Sequence, residues 1–237
     1  MITMIGTGHV FKIADQVSFI VKYSWPDAVL VELDERRYTA LMNDTGDRKM
    51  PADSPKLYRE SAEYQNRISE KNGTKPGEEL LAAIIAGKLV SAEIVCIDKD
   101  AEQMMAEIEK EMSSFERARY YMSSVTDGLF GRNKTNVAQK SFADNEEEYI
   151  RKMRKRFPTL VKKLIDERNG YMAERIREAS EKYNNLVVVV GDAHVRGICE
   201  LLGGIDIEKI RLAEMMDQES MNNVKSRIWN RKPEGSQ

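Results

Sequence analysis

The two histidines of the chain stand in matching short motifs that could do chemistry. His9 ends the Gly-x-x-His motif Gly6–His9, and His194 ends a second one, Gly191–His194. Each motif follows an apolar run and precedes an amphipathic segment. A glycine at such a point lets the chain turn sharply off a strand and approach a ligand closely. Both histidines are therefore predicted to lie at the carboxyl edge of a sheet, where open α/β folds bind their ligands.

Two other interpretations of these motifs stay open from the residues alone. Each histidine could cap a helix or lie satisfied in the core, although matched positions for the only two histidines of the chain favour a shared site. Either loop could instead bind a phosphate at a helix N-terminus, but neither has the further glycines of a nucleotide-binding fingerprint.

Acidic side chains end two other apolar runs. Glu32 closes the run Ala28–Glu32, and Asp98 follows the run Glu93–Ile97. If the strands are parallel, both carboxylates reach the same sheet edge as the histidines, where they can ligate a metal or act as a general base. The alternative for Glu32 is a plain helix cap, a role that suits Asp34 better. Asp98 could equally be an ordinary loop residue.

Two arginines occupy positions where helical periodicity predicts apolar residues. Arg37 lies in the apolar stripe of the helix that follows Glu32, and Arg168 lies in the middle of the stripe of a long helix after Pro158. An arginine that faces a core needs a carboxylate or a bound anion, because an unpaired buried charge is costly. Arg168 is predicted to pair with Glu32 or Asp98. A purely structural salt bridge is the alternative to a role in a site.

Short apolar runs and longer amphipathic segments alternate along the chain, which predicts an α/β fold. The expected architecture is a small, mainly parallel or mixed central sheet flanked by helices, with a largely helical insertion at about residues 100–183. We expect a single domain over residues 1–230 and a disordered tail over 231–237, and residues 43–72 and 123–144 are predicted as long loops or mobile helical excursions. The runs predicted as strands are Ile2–Ile5, Ala28–Glu32, Glu93–Ile97 and Leu186–Val190.

Composition narrows the classes of function. The chain has 237 residues, of which 41% are hydrophobic and 32% charged, with a formal net charge of −2. Interspersed charges and only 7% aromatic residues argue against a nucleic-acid-binding surface. No apolar run approaches the roughly 18 residues of a membrane span, and Cys96 and Cys199 cannot form a disulfide framework. We therefore expect a cytoplasmic or cytosol-facing protein without nucleic-acid partners, and a homo-oligomer is left open.

The chain resembles the TraB/PrgY family, relatives of the TIKI metalloproteases. The resemblance lies in short blocks of sequence that contain the candidate residues. Each block is short, but together they follow the family order over nearly the whole chain. The first loop differs from the usual family form at Gly8 and Phe11, which stand where alanine and serine are more common. The blocks are Gly6–Val10, Pro26–Asp34 with Arg37 after it, Pro76–Ile84, Ile97–Asp100, Met112–Ser113, Ile165–Ala173 and Gly191–Ile198.

The resemblance implies a metal-dependent hydrolase with a peptide or protein as substrate. TraB and PrgY proteins limit pheromone activity in conjugating bacteria, and TIKI proteins cleave a signalling protein with a divalent metal such as Mn²⁺ or Co²⁺. By the same resemblance, His9, Glu32 and His194 would hold the metal, with Zn²⁺ as a further candidate. A metal-bound water would attack the carbonyl group.

We expect supporting roles for the other candidates in this mechanism. Asp98 would position or deprotonate the water, and Arg37 or Arg168 would stabilise the developing oxyanion. Two alternatives use the same cleft. One is a metal-independent, esterase-like hydrolase in which His9 is the general base, and the other is a non-catalytic module that binds and sequesters a peptide.

Overall fold

The computed structural model describes residues 1–8, 11–43, 54–125 and 148–230. Its centre is a five-stranded, all-parallel sheet in the order β3-β2-β4-β1-β5. The predicted α/β class is confirmed, and the four predicted strands are present close to their expected bounds. The fifth strand is not predicted, because its sequence Ile-Glu-Lys-Ile is short and half charged. The strands are β1 Ile2–Thr7, β2 Ala28–Val31, β3 Glu93–Cys96, β4 Leu186–Gly191 and β5 Ile207–Ile210.

Helices cover both faces of the sheet, and a π-helical turn, Lys162–Glu167, joins two of them. Across the described ranges, none of these helices is both long enough and apolar enough to cross a bilayer. The helices of the described residues are α1 Ala14–Ser24, α2 Glu35–Met42, α3 Lys56–Asn72, α4 Glu78–Leu89, α5 Ala101–Glu111, α6 Ser114–Val125, α7 148–156, α8 Pro158–Val161, α9 Arg168–Lys182, α10 Asp192–Leu201, α11 Leu212–Met216 and α12 Gln218–Trp229.

The structure describes different shares of the two segments that lack a clear sequence pattern, residues 43–72 and 123–144. Residues 56–72, expected as part of a long loop or a mobile helical excursion, form the regular helix α3. This helix buries only Leu57 and Ser69, which explains why no apolar stripe marks it. The predicted loop at 123–144 overlaps the end of α6 and otherwise lies outside the described residues, as does the predicted tail at 231–237. The described residues between β3 and β4 are mainly helical, as the fold prediction requires.

Alternate residues of the central strand β4 pack into two separate cores. Val187 and Val189 pack on one face with α1, α4 and α12. Val188 and Val190 pack on the other face with α9 and α10. Because both faces are covered, the strand shows no alternation of polar and apolar residues.

The adjacent strands β1 and β4 send their following helices to opposite faces of the sheet. Helix α1 follows β1 into one core, and α10 follows β4 into the other. Thr7 pairs with Gly191, so the two Gly-x-x-His loops leave the same sheet edge side by side. In open α/β sheets such a change of direction opens a crevice in which ligands bind. The loop of His194 lies where the sequence predicted it, whereas His9 itself is outside the described residues.

Gly87 of α4 and Gly170 of α9 provide a matched test of how tightly α4 packs on the sheet. A Cβ atom at Gly87 would lie 2.8 Å from Val29 Cγ2 and 2.9 Å from Ile94 Cδ1, whereas nothing lies within 4 Å of one at Gly170. We expect Gly87→Ala to lower the melting temperature through overpacking. Gly170→Ala should raise the free energy of unfolding by about 0.4–1 kcal/mol, since alanine restricts the unfolded chain. Thermal unfolding followed by circular dichroism measures both, and equal shifts would contradict the close packing of α4.

Candidate functional site

Arg168, the first residue of α9, lies between two carboxylates at the carboxyl edge of the sheet. Its Nε donates to Asp98 Oδ1 at 2.9 Å and its Nη2 to Asp98 Oδ2 at 2.7 Å, and Nη2 also donates to Glu32 Oε1. Glu32 and Asp98 follow β2 and β3 and are only 3% and 6% exposed. The predicted carboxylate partners of Arg168 are therefore both present. Their shared cation is what allows the two anions to be buried together.

The neighbours of Arg168 determine its charge state. Burial disfavours the charged form, but the negative charges and hydrogen bonds of Glu32 and Asp98 outweigh burial and hold the pKa of the guanidinium above its ordinary value. Arg168 therefore stays a cation over the whole physiological pH range. A permanent positive charge at a ligand-binding edge suits recognition or stabilisation of an anionic oxygen.

A π-helical turn brings Arg168 to this position. The turn Lys162–Glu167 shifts the phase of the helix just before α9, a feature often found at functional sites. Arg168 Nη1 donates back to the carbonyl oxygen of Leu164 at 3.4 Å, and Lys99 Nζ donates to Glu167 Oε2 at 3.3 Å. The turn is thereby tied to the chain just after Asp98. Helical periodicity predicts the buried side for Arg168 but contains no sign of the π-turn, because it assumes α-helical geometry throughout.

Arg37 joins the same cluster from α2. Its Nε donates to Asp34 Oδ2 at 2.8 Å, and its Nη2 donates to Asp98 Oδ2 at 2.5 Å and to the Glu32 carbonyl oxygen at 3.1 Å. Asp34 is the N-cap of α2, the role that suits it by sequence. Asp98 thus accepts four hydrogen bonds, one from Arg37, two from Arg168 and one from the backbone N–H of Lys99. Such a carboxylate is a firm anchor for both arginines.

His194 lies in the first turn of α10 with its ring against Arg168. Its Nδ1 lies 2.7 Å from Asn169 Oδ1, and its Nε2 lies 3.1 Å from Arg168 Nη1. An amide oxygen only accepts and a guanidinium only donates, so the ring carries its proton on Nδ1 and its lone pair on Nε2. The same Nε2 lies 3.7 Å from Glu32 Oε1. These contacts fit the neutral ring with its lone pair on Nε2, the form that a base or a metal ligand requires.

Asn169, which orients His194, is a site residue that the sequence pattern does not mark. Its side chain is buried against Gly197 of α10, where a Cβ atom would lie 2.2 Å from Asn169 Nδ2. The amide fits only because position 197 has no side chain. On a helical wheel Asn169 resembles any polar helix residue. Its one sequence signal is its place beside Arg168 in a block of the family resemblance.

Glu32 ties β2 to the second histidine loop. Its Oε2 accepts the backbone N–H of Gly191, and a Cβ atom at Gly191 would lie 3.3 Å from that oxygen. The glycine of the motif therefore does allow a close approach of the backbone, here to a carboxylate of the protein. The contact places Glu32 between His194 and the end of β4.

The described residues do not by themselves complete the predicted metal site. Of the predicted ligands, His9 lies outside the described ranges, and Arg168 donates to the facing atoms of Glu32 and His194. Within the part of the chain that the structure describes, no three histidine, cysteine or acidic side chains are arranged to hold an ion. The guanidinium would have to move before Glu32 and His194 could bind one together.

The fold and the site define a class of protein, a parallel α/β protein with a histidine–arginine–carboxylate centre where the sheet connections change direction. The chain belongs to the TraB/PrgY/gumN family, whose sequence model matches residues 1–205. The family expected from the sequence blocks is thus confirmed. An uncharacterized protein of Methanocaldococcus jannaschii is 30% identical over 230 residues, which cover 90% of this chain. The chain spans about 57% of the length of that curated relative.

Replacement of Arg168 tests whether the cluster depends on this one cation. We expect Arg168→Met to lower the free energy of unfolding by about 3–5 kcal/mol, because Glu32 and Asp98 lose their shared counter-charge. Adding Glu32→Gln should restore part of that loss. Urea unfolding measures the single and double variants. The control is Arg175→Met, which removes an exposed pair with Glu178 on the same helix and should cost less than about 1 kcal/mol. A loss for Arg168→Met as small as the control's would contradict this dependence.

Proposed function

We propose that this protein hydrolyses peptide or related acyl bonds, with Glu32, Arg168 and His194 as the reacting centre. The observation that carries the proposal is the position of the His194 ring, whose Nδ1 lies 2.7 Å from Asn169 Oδ1 while Nε2 lies 3.1 Å from Arg168 Nη1 and 3.7 Å from Glu32 Oε1. A purely structural cluster needs ion pairs but has no use for a neutral imidazole with its basic nitrogen directed into it. The position of the cluster at the ligand-binding edge supports the same function.

In this proposal Arg168 supplies the positive charge of the reaction. The carbonyl oxygen of the substrate replaces His194 Nε2 as the acceptor for Arg168 Nη1. A water gives a proton to Nε2, and its oxygen attacks the carbonyl carbon. The carbonyl electron pair moves to the oxygen, and the resulting oxyanion faces the guanidinium. The proton on Nε2 then passes to the leaving group as the tetrahedral intermediate collapses, and Glu32 stabilises the transient imidazolium.

The remaining candidates support this centre. Asp98 anchors Arg37 and Arg168 through its four hydrogen bonds, a role that suits it better than the general base proposed from the family resemblance. Arg37 carries positive charge to the more exposed side of the cluster. His9 stays a proposed member of the site on sequence grounds, because its loop leaves the strand next to that of His194.

The substrate and location are proposed on different grounds. The family resemblance supports a peptide or protein substrate. A cytoplasmic or cytosol-facing location is supported by the two cysteines, Cys96 and Cys199, which form no disulfide with each other.

Hydrolysis can be tested with a mixed-sequence peptide library and mass spectrometry of the products. We expect the full chain to release fragments, and His194→Ala to lower turnover about 10²–10⁴-fold, the usual share of a general base. Arg175→Met, away from the site, should behave like the parent. Equal turnover by the parent and His194→Ala would contradict the proposal. Peptide binding without any cleavage would support the sequestering module instead.

A metal-dependent hydrolase is the second candidate, and one distance favours it. Glu32 Oε1 and His194 Nε2 lie 3.7 Å apart, a spacing that two ligands of one ion adopt at about 2.0–2.2 Å each. In this form His9, Glu32 and His194 would hold Mn²⁺, Co²⁺ or Zn²⁺, and Asn169 would orient the imidazole.

Metal analysis of protein purified without a metal-affinity step separates the two candidates. The metal-dependent form predicts one bound ion per chain, its loss in His9→Ala and His194→Ala, and inactivation by EDTA with recovery on added Mn²⁺ or Co²⁺. The metal-independent form predicts turnover that EDTA leaves unchanged. Stoichiometric metal in the parent together with its loss in His194→Ala would overturn our leading proposal in favour of the second candidate.

A further inference from the structure

Asp192 lies outside the centre described above but inside the second histidine loop, two residues before His194. Its carboxylate is largely buried and accepts from Arg211 through two nitrogens, Nε to Oδ1 at 2.8 Å and Nη2 to Oδ2 at 2.9 Å. The backbone N–H of Leu212 adds a third bond to Oδ1 at 3.0 Å. A paired guanidinium–carboxylate contact with an added backbone donor fixes the orientation of the carboxylate.

The same carboxylate reaches the first histidine loop. A Cβ atom at Gly6 would lie only 2.1 Å from Asp192 Oδ1, so the missing side chain at this position makes room for the carboxylate. Gly6 pairs with Val190 across the β1–β4 ladder. The glycine of the first motif therefore accommodates a side chain of the second. Within the described residues, Asp192 is thus a second contact between the two loops, beside the pairing of Thr7 with Gly191.

Arg211 reaches Asp192 from the strand on the far side of β1. It follows β5, which pairs with β1, and it caps α11 with its backbone N–H donating to Glu214 Oε2 at 2.8 Å. The backbone N–H of Arg211 is thus held by Glu214 and not by Asp192. The guanidinium spans the end of β1 and links the edge strand to the loop of His194.

We propose that Arg211 and Asp192 are positioning residues, which set the orientation of His194 relative to Glu32 and thereby serve the hydrolytic function proposed above. The second histidine loop is held from two sides, by Glu32 at the N–H of Gly191 and by Arg211 at Asp192. Without Arg211, the buried carboxylate beside Gly6 loses its counter-charge and turns towards solvent. The first turn of α10 turns with it, and the ring of His194 leaves its alignment with Glu32.

The two histidines make this proposal directly measurable, since ¹⁵N-histidine labelling of the full chain reports on only His9 and His194. The resonances of His194 are assigned by their loss in His194→Ala. We expect Arg211→Gln to shift its ring nitrogens and to populate the second tautomer. The matched control is Arg177→Gln, which removes an arginine that donates to the Leu201 carbonyl oxygen at 3.0 Å, at the opposite end of α10. This control should leave the ring signals unchanged.

Kinetics provide a second readout of positioning. Arg211→Gln should lower kcat about 10–100-fold with KM within about twofold, because misplacement of a reacting group costs turnover more than binding. Arg211→Lys keeps the positive charge and should recover part of the lost kcat. If Arg211→Gln does not fold, Arg211→Lys is measured in its place. Ring signals of the folded Arg211 variant identical to those of the parent would overturn the positioning role. If the variant shifts the ring signals but the parent protein cleaves no peptide, the positioning role stands and only the hydrolytic function is rejected.

Discussion

Two carboxylates from neighbouring strands can share the buried edge of this sheet only if a cation lies between them. Arg168 is that cation, and its contacts join the ends of β2 and β3, the start of α9 and the ring of His194. Apolar side chains of similar volume in place of a buried ion pair often stabilise a fold equally well. Stability alone therefore gives no reason for a charged cluster here, and this is one ground on which we propose that the cluster is functional.

The sheet topology determines where this cluster can act. The connections from β1 and β4 leave on opposite faces, so the chain opens between their carboxyl ends and both histidine loops border the opening. The two motif glycines have different partners. Gly191 allows Glu32 to approach the backbone, and Gly6 makes room for Asp192. The repeated motif is thus a means of packing two loops and their acidic partners into one small volume.

The chain belongs to the TraB/PrgY/gumN family, and our proposals build its site from both loops together with Glu32 and Arg168. The arrangement of these side chains adds a distinction that the family alone does not make. Arg168 faces the atoms of Glu32 and His194 that a metal would need, so arginine and metal compete for the same position. Our two proposed mechanisms differ in which of the two positive charges would lie there when a substrate binds.

The sequence by itself determined the features that depend on local pattern. Buried parallel strands carry unbroken Val and Ile runs, and Arg168 interrupts an apolar helical stripe, so four strands, the acids at their ends and the buried arginine could all be predicted. Only the tertiary structure decided the features that depend on packing between distant segments. β5 is too short and too charged to be recognised before it pairs with β1, and the π-turn before Arg168 breaks the periodicity on which a helical wheel relies. Asn169 and Asp192 become site residues only because Gly197 and Gly6, far away in the chain, leave space for their side chains. Such steric complementarity has no period in the sequence, and it is this complementarity that sets the orientation of His194.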